Sequence, residues 1–187
     1  DREDLGGISD IDTIVVCNQL NEEMFNQCIE KVQSISLEEC GLNGFRLKIN
    51  TSFGPLKFDE PKLVVLHLMV YDIQGHRSHV LASPFTCLDW ERSKFFVGKS
   101  LKEVFPVGQL QPRDFLEARR GFRNYLKDLR SGTISIREYE FRRKKPVEVM
   151  KTYPLDKRHQ GEFAFHIVRN LVLNWMKQNK CKNRLYT

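Results

Sequence analysis

The sequence predicts an α+β fold: a small mixed β-sheet flanked by helices, followed by a helical subdomain. Two observations carry this reading, and a charge asymmetry that bears on partners rather than fold accompanies them. β-rich runs around one amphipathic helix fill the front half. From Pro112 onward the apolar period becomes helical. The charge balance also changes sign along the chain. Residues 1–109 carry 11 Lys and Arg against 16 Asp and Glu, a balance of −5; residues 110–187 carry 19 against 8, a balance of +11. The change from the β-rich front half to the helical back half places a boundary near residue 105, between an α/β core, 1–105, and a helical subdomain, 106–187.

The elements follow in order. Asp10 to Cys17 reads as a strand, with Ile14, Val15 and Val16 as β-formers after the turn-like Gly6-Gly7. Asn21 to Ile35 reads as a helix: Asn21 can cap it, Glu22 and Glu23 suit its first turn, and Met24, Phe25, Cys28, Ile29, Val32 and Ile35 recur at helical spacing. Phe45 to Thr51 alternates, with Phe45, Leu47 and Ile49 on one side, as a half-buried strand does. Lys62 to Asp72 is a second, more apolar strand. A loop with Gly, His and Ser runs from there to Pro84, and Asp89 to Val97 has the length of a short helix. Pro112 opens a helix bearing Phe115, Leu116, Phe122, Tyr125, Leu126 and Leu129, and Gly132 stops it. Ser135 to Met150 is expected to be a further helix. Gln160 to Asn179 is another, with Phe163, Ile167, Leu171 and Trp175 as its stripe and Val168 and Val172 beside it.

With 41% hydrophobic and 29% charged residues in 187, the chain belongs to the globular class and can build a core without staples. Its five cysteines are odd in number and show no C-x-x-C spacing, which argues against a disulfide framework or a structural zinc site. A reducing, cytoplasmic setting follows as the expectation. No apolar run approaches the roughly 20 residues of a membrane helix, so no membrane partner is expected.

The chemistry concentrates in Gly6-Gly7-Ile8-Ser9-Asp10-Ile11-Asp12. Residues two apart in a strand project to one side, so Asp10 and Asp12 leave the strand together. Two carboxylates that close repel unless a cation lies between them. Mg²⁺ favours carboxylate and phosphate oxygens, and a pair of such ions can activate an attacking oxygen and steady a leaving pyrophosphate. A bare D-x-D is common on solvated strand starts. Here the Gly-Gly before it, the adjacent Ser9, the β-branched run and the amphipathic helix give it a setting.

In that setting, residues 6 to 16 resemble the DNA-polymerase-beta-like nucleotidyltransferase superfamily, most closely its small antibiotic-modifying and toxin-antitoxin-associated members. That family carries a Gly-Ser pair, then about ten residues, then Ser-Asp-Ile-Asp opening a strand. At this spacing the pair falls before Asp1, and Asp1-Arg2-Glu3-Asp4 is similar to the acidic stretch between the two motifs. The resemblance implies that Asp10 and Asp12 bind two Mg²⁺ ions against ATP or another nucleoside triphosphate, and that Gly7 and Ser9 shape the phosphate loop. It implies transfer of a nucleoside monophosphate to a hydroxyl acceptor with release of pyrophosphate. The family's third carboxylate belongs in a later strand. Here the Leu63 to Tyr71 strand has His67 as its central polar residue and Asp72 at its end. Asp72 is the candidate third metal ligand. His67 can accept a metal, position the acceptor, or be a satisfied core histidine.

Other signals are weaker. Arg119 and Arg120 can clamp a triphosphate or an anionic acceptor. Arg142-Arg143-Lys144-Lys145, interleaved with Tyr139 and Phe141, suits a solvated helix face or RNA contact. Phe122 and Tyr125 are candidates to stack on the base. His76 and His79 read as loop polar residues, and Asp89-Trp90-Glu91 as an acceptor-pocket lining or an exposed turn. No P-loop, dinucleotide or serine-hydrolase motif occurs. The rival reading is a catalytically silent nucleotidyltransferase-like module that binds nucleotide, RNA or a partner protein. A toxin-antitoxin component acting on protein or tRNA is a second rival.

Overall fold

A computed structural model describes residues 10–54, 56, 58, 60–82, 97–99 and 111–184. The order is β1 (Ile11–Cys17), α1 (Glu22–Gln33), β2 (Arg46–Asn50), β3 (Leu63–Asp72), α2 (Ile73–Ala82), α3 (Pro112–Arg120), α4 (Phe122–Ser131), β4 (Thr133–Arg142), β5 (Lys145–Pro154) and α5 (Lys157–Arg184). The fold is mixed α+β. A parallel three-stranded sheet has the order β1-β3-β2, and β4 and β5 form a separate antiparallel pair. The chain forms two compact units that interleave in sequence: Asp1–Asp72 with Ile136–Thr152, and Ile73–Ser135 with Tyr153–Thr187.

In the first unit, α1 starts where Asn21 Oδ1 accepts the Met24 N–H at 2.8 Å, satisfying one of the helix's open donors. Its apolar stripe covers one face of the sheet. Phe25 and Leu20 pack there with Leu68 and Val70 of β3, and Val15, Cys17, Ile49 and Leu66 join them. Burial of each such aliphatic side chain contributes about 1.5–3 kcal/mol. The opposite face gathers Phe53, Met69, Tyr71, Ile14 and Tyr139. Phe53 stacks on Tyr71 at 5.0 Å and meets Tyr139 edge-on at 5.0 Å. Phe53 also exchanges backbone hydrogen bonds with Arg137, tying the segment after β2 to β4. The close approach requires Gly54: a Cβ there would meet Ile136 Cγ2 at 2.7 Å.

Ser135 to Met150, expected as a helix, is a β-hairpin. Ile134 and Ile136 are buried two apart, and further along the strand Tyr139 and Phe141 are more buried than Glu140 and Arg142, the alternation of a strand. The basic run Arg142 to Lys145 is the turn itself. Arg143 and Lys144 take positive φ, 52° and 65°, the pattern of a type I′ hairpin turn.

In the second unit, α3 begins at Pro112, and Asp114 Oδ2 accepts the Gln111 N–H at 2.7 Å. Gly121 separates α3 from α4, and Gly132, at φ 64°, ends α4 in the left-handed region. Asp156 caps α5 by accepting the His159 N–H at 2.9 Å. Phe122, Phe163 and Ile167 form the core, with Tyr125, Leu129, Leu155 and Leu171 around them. The stretch after β3, expected as a loop, forms α2 over Ile73–Ala82, with His76, His79 and Val80 buried. The expected stripe on α5 holds for Phe163, Ile167 and Leu171 and then fails at Trp175. A step of four residues overshoots the helical turn by about 40°, so Trp175 comes round to the exposed side. Asn170, Asn174 and Gln178 take the inward positions. The expected helix Asp89 to Val97 lies outside the described residues except for Val97. Among the described residues, no helix is long and apolar enough to cross a membrane.

Candidate metal centre

The parallel register decides which side chains meet. Asp12 on β1 pairs with His67 on the central strand, and Asn50 on β2 pairs with His67 from the other side. Side chains in register across a sheet share a face, so Asp12, His67 and Asn50 form one row. Asp10, two residues before Asp12, returns to that face. It is the face away from α1, and Ile14, Met69 and Tyr71 continue it as an apolar floor.

His67 is the pivot of the row. Its Nε2 lies 2.6 Å from the Ser52 carbonyl oxygen. A carbonyl only accepts, so Nε2 carries the hydrogen and donates it. Nδ1 is left facing Asp12 Oδ1 at 2.8 Å and Asp10 Oδ2 at 3.9 Å. Burial draws the imidazole pKa down, but the hydrogen bonds to Asp12 and Ser52 and the charges of Asp12 and Asp10 outweigh it, and the net direction is upward. Ser52 is itself held. Asn50 Oδ1 accepts the Ser52 N–H at 3.1 Å and its hydroxyl at 2.7 Å. Because the backbone N–H can only donate, this orients the Asn50 amide. Its Nδ2 is buried without a hydrogen-bond partner.

One ligand atom each from Asp10, Asp12 and His67 lies within 4.8 Å of the others. Bonds of about 2.0–2.2 Å to a dication bring neighbouring ligands to roughly 3 Å apart, so the three need only small adjustments to share one ion. Side-chain exposure falls from 59% at Asp12 to 16% at Asp10 and 11% at His67. The site is thus open on the Asp12 side and closed behind His67.

Of the residues singled out in the sequence, Asp10, Asp12 and His67 come together. Asp72 does not join them. It pairs with Cys17 at the far end of β1, five residues beyond His67. At about 3.3 Å per residue that is roughly 16 Å away, and an odd offset turns it to the other face. Gly7, Ser9 and Asp89-Trp90-Glu91 lie outside the described residues. Arg119 and Arg120 belong to α3 in the second unit, where Arg120 pairs with Glu117 at 2.8 Å and Arg119 Nη1 is buried. Phe122 and Tyr125 are core residues, edge-to-face with each other, and Tyr125 meets Phe163 in the same way, so neither is a free stacking platform. His76 and His79 are buried on α2, and burial, with the neighbouring His79, lowers the His76 pKa to about 4.

Asn50 and Ser52 went unnoticed in the sequence. Their one signal was a run of polar residues, Asn50-Thr51-Ser52, closing an alternating strand. A cavity of about 270 Å³ lies among Ile29, Gln33, Leu47, Ile49 and Thr51, apart from the Asp10–Asp12–His67 row. No protein-family model, curated protein or solved structure matches the chain.

Proposed function

We propose that the chain is a metal-dependent nucleotidyltransferase domain of the polymerase-beta-like kind. The observation that carries the reading is the convergence of Asp10, Asp12 and His67 at the start of β1, where the Ser-Asp-Ile-Asp motif requires a cation site. Asp10 and Asp12 would hold the cation, and the Ser52 carbonyl, by keeping the hydrogen on Nε2, would leave Nδ1 to complete the ligand set once it gives up its proton to the incoming ion. A divalent ion bound there supplies charge neutralisation for a triphosphate and a lowered pKa for an attacking oxygen. Asn50 Nδ2 offers an N–H donor to a substrate oxygen on the same face. The reaction is attack of an acceptor hydroxyl on the α-phosphorus of ATP or another nucleoside triphosphate. One P–O bond forms, the bond to the bridging oxygen breaks, and pyrophosphate leaves. A cytoplasmic setting goes with this reading and with the free thiols of Cys17, Cys28 and Cys40.

One observation favours a second reading. An imidazole stands where the family has a carboxylate, which fits a domain that keeps the cation site and binds nucleotide, RNA or a partner protein without turnover. The test is calorimetric binding of ATP and GTP, with and without divalent cation, to the wild type and to Asp10→Asn/Asp12→Asn, alongside an assay for pyrophosphate release. Cation-dependent binding that the double variant loses supports the site, and pyrophosphate release selects the enzyme over the silent module. Binding that ignores the substitutions would overturn both readings.

A further inference from the structure

We infer that the Asp10–Asp12–His67 site takes a late first-row dication of the Zn²⁺ kind in preference to Mg²⁺. The inference rests on the metal-site reading above and names the ion that site selects.

The donor set argues for it first. Mg²⁺ prefers a shell of oxygens and sheds water reluctantly, whereas imidazole nitrogen favours the later first-row ions. A set of two carboxylates and one imidazole leans toward the latter. The geometry then closes the alternatives. His67 cannot be a bystander that turns aside, because it is buried in the central strand between Asp12 and Asn50. Nor can it present its other nitrogen, since Nε2–H is committed to the Ser52 carbonyl at 2.6 Å. Nδ1, hydrogen-bonded to Asp12 at 2.8 Å and 3.9 Å from Asp10, is therefore the nitrogen aimed at the point on which both carboxylates converge, and it would give up its proton to take a metal. A histidine ligand oriented by a backbone carbonyl on its second nitrogen is the usual support of a transition-metal site. No other carboxylate replaces the imidazole among the described residues: Asp72 is at the wrong end of β3, and no second cluster with metal-ligand spacing exists there. The buried Asn50 amide adds a donor on the same face, suited to an oxygen bound beside the ion rather than to the ion itself.

The experiment uses the full chain and the metals alone. Mg²⁺, Mn²⁺ and Zn²⁺ are titrated separately by calorimetry, and the Mn²⁺-loaded protein is examined by pulsed electron paramagnetic resonance for ¹⁴N coupling. We expect Zn²⁺ to bind more tightly than Mg²⁺, and the Mn²⁺-loaded protein to show a ¹⁴N signal from one imidazole. In His67→Asp the Zn²⁺-to-Mg²⁺ preference should fall by at least about tenfold, because the third donor becomes oxygen. The spectroscopic arm needs no variant, so poor folding of His67→Asp leaves the test intact. Mn²⁺ that binds without ¹⁴N coupling, or Mg²⁺ that binds as tightly as Zn²⁺, overturns the preference while the metal site stands. Failure of all three ions to bind, or binding that survives Asp10→Asn/Asp12→Asn, overturns the metal-site reading and this inference with it.

Discussion

His76 should make the fold acid-labile, by an amount that follows from its burial. The ring is buried on α2, and burial first, then the neighbouring His79, lowers its pKa to about 4. An unfolded histidine titrates near 6.5, so the gap of about 2.5 units corresponds to roughly 3 kcal/mol at about 1.4 kcal/mol per unit. The sign follows from which state binds the proton. Between pH 6.5 and 4 the unfolded chain is protonated at His76 and the folded chain is not, so acid favours unfolding. The stabilisation is fully present above pH 6.5 and is lost as pH falls toward 4. At pH 5 the linkage relation gives a loss of about 2 kcal/mol relative to pH 7.5. Urea unfolding followed by circular dichroism at pH 7.5, 6 and 5 measures it. The wild type should lose about that amount, and His76→Gln, whatever its stability at neutral pH, should lose distinctly less. His79→Gln removes the second cause and should raise the His76 midpoint in an NMR titration. Equal acid losses in the wild type and His76→Gln, or a His76 ring that titrates near 6.5 in the folded protein, would refute the reasoning.

Three further outcomes follow from particular contacts. Arg143 and Lys144 hold positive φ in the β4–β5 turn, where a side chain costs about 1 kcal/mol or more per residue, so Arg143→Asn/Lys144→Gly should raise the thermal midpoint by an increment worth about 1 kcal/mol. Gly54→Ala drives a Cβ to 2.7 Å from Ile136 Cγ2; it should cost about 1–3 kcal/mol by overpacking, and a neutral result in denaturant titration would show that β4 can give way. Asn50→Leu removes the acceptor that holds Ser52, and through Ser52 the orientation of His67. Metal affinity measured by calorimetry should drop about 10–100-fold, whereas Asn50→Asp, which keeps the acceptor oxygen, should retain it.

The parts legible in the sequence are those set by local chemistry. The Asn21 cap, the Pro112 start and the Gly132 stop each act within one turn of helix, and all three stand where the sequence put them. The strands β1, β2 and β3 were legible because alternation or β-branched runs leave few other options. The β4–β5 hairpin was not. Its dense charges, Arg137, Glu138, Glu140 and Arg142, suit a helix surface as well as a strand. The turn residues Arg143 and Lys144 lack the Asn-Gly signature that would have flagged a hairpin. α2 was hidden by its polar letters, because histidines that end up buried look like loop residues until their neighbours are known.

The candidate site divides along the same line. Asp10 and Asp12 are two apart on one strand, so their convergence follows from the period alone. The third member depends on the register between β1 and β3, which the 45 residues between Cys17 and Leu63 leave open. A carboxylate is the usual third ligand, which favours Asp72, and a lone histidine in an apolar strand is more often a packed core residue than a ligand, which disfavours His67. Register reverses the preference. It sets His67 beside Asp12, sends Asp72 to the other end and the other face, and brings the Ser52 carbonyl against Nε2. The meeting of His67 with the two aspartates is therefore written in two places far apart in the chain. The Asn50–Ser52 turn that fixes the ring matters as much as the ring itself, because without it Nδ1 has no reason to face the carboxylates.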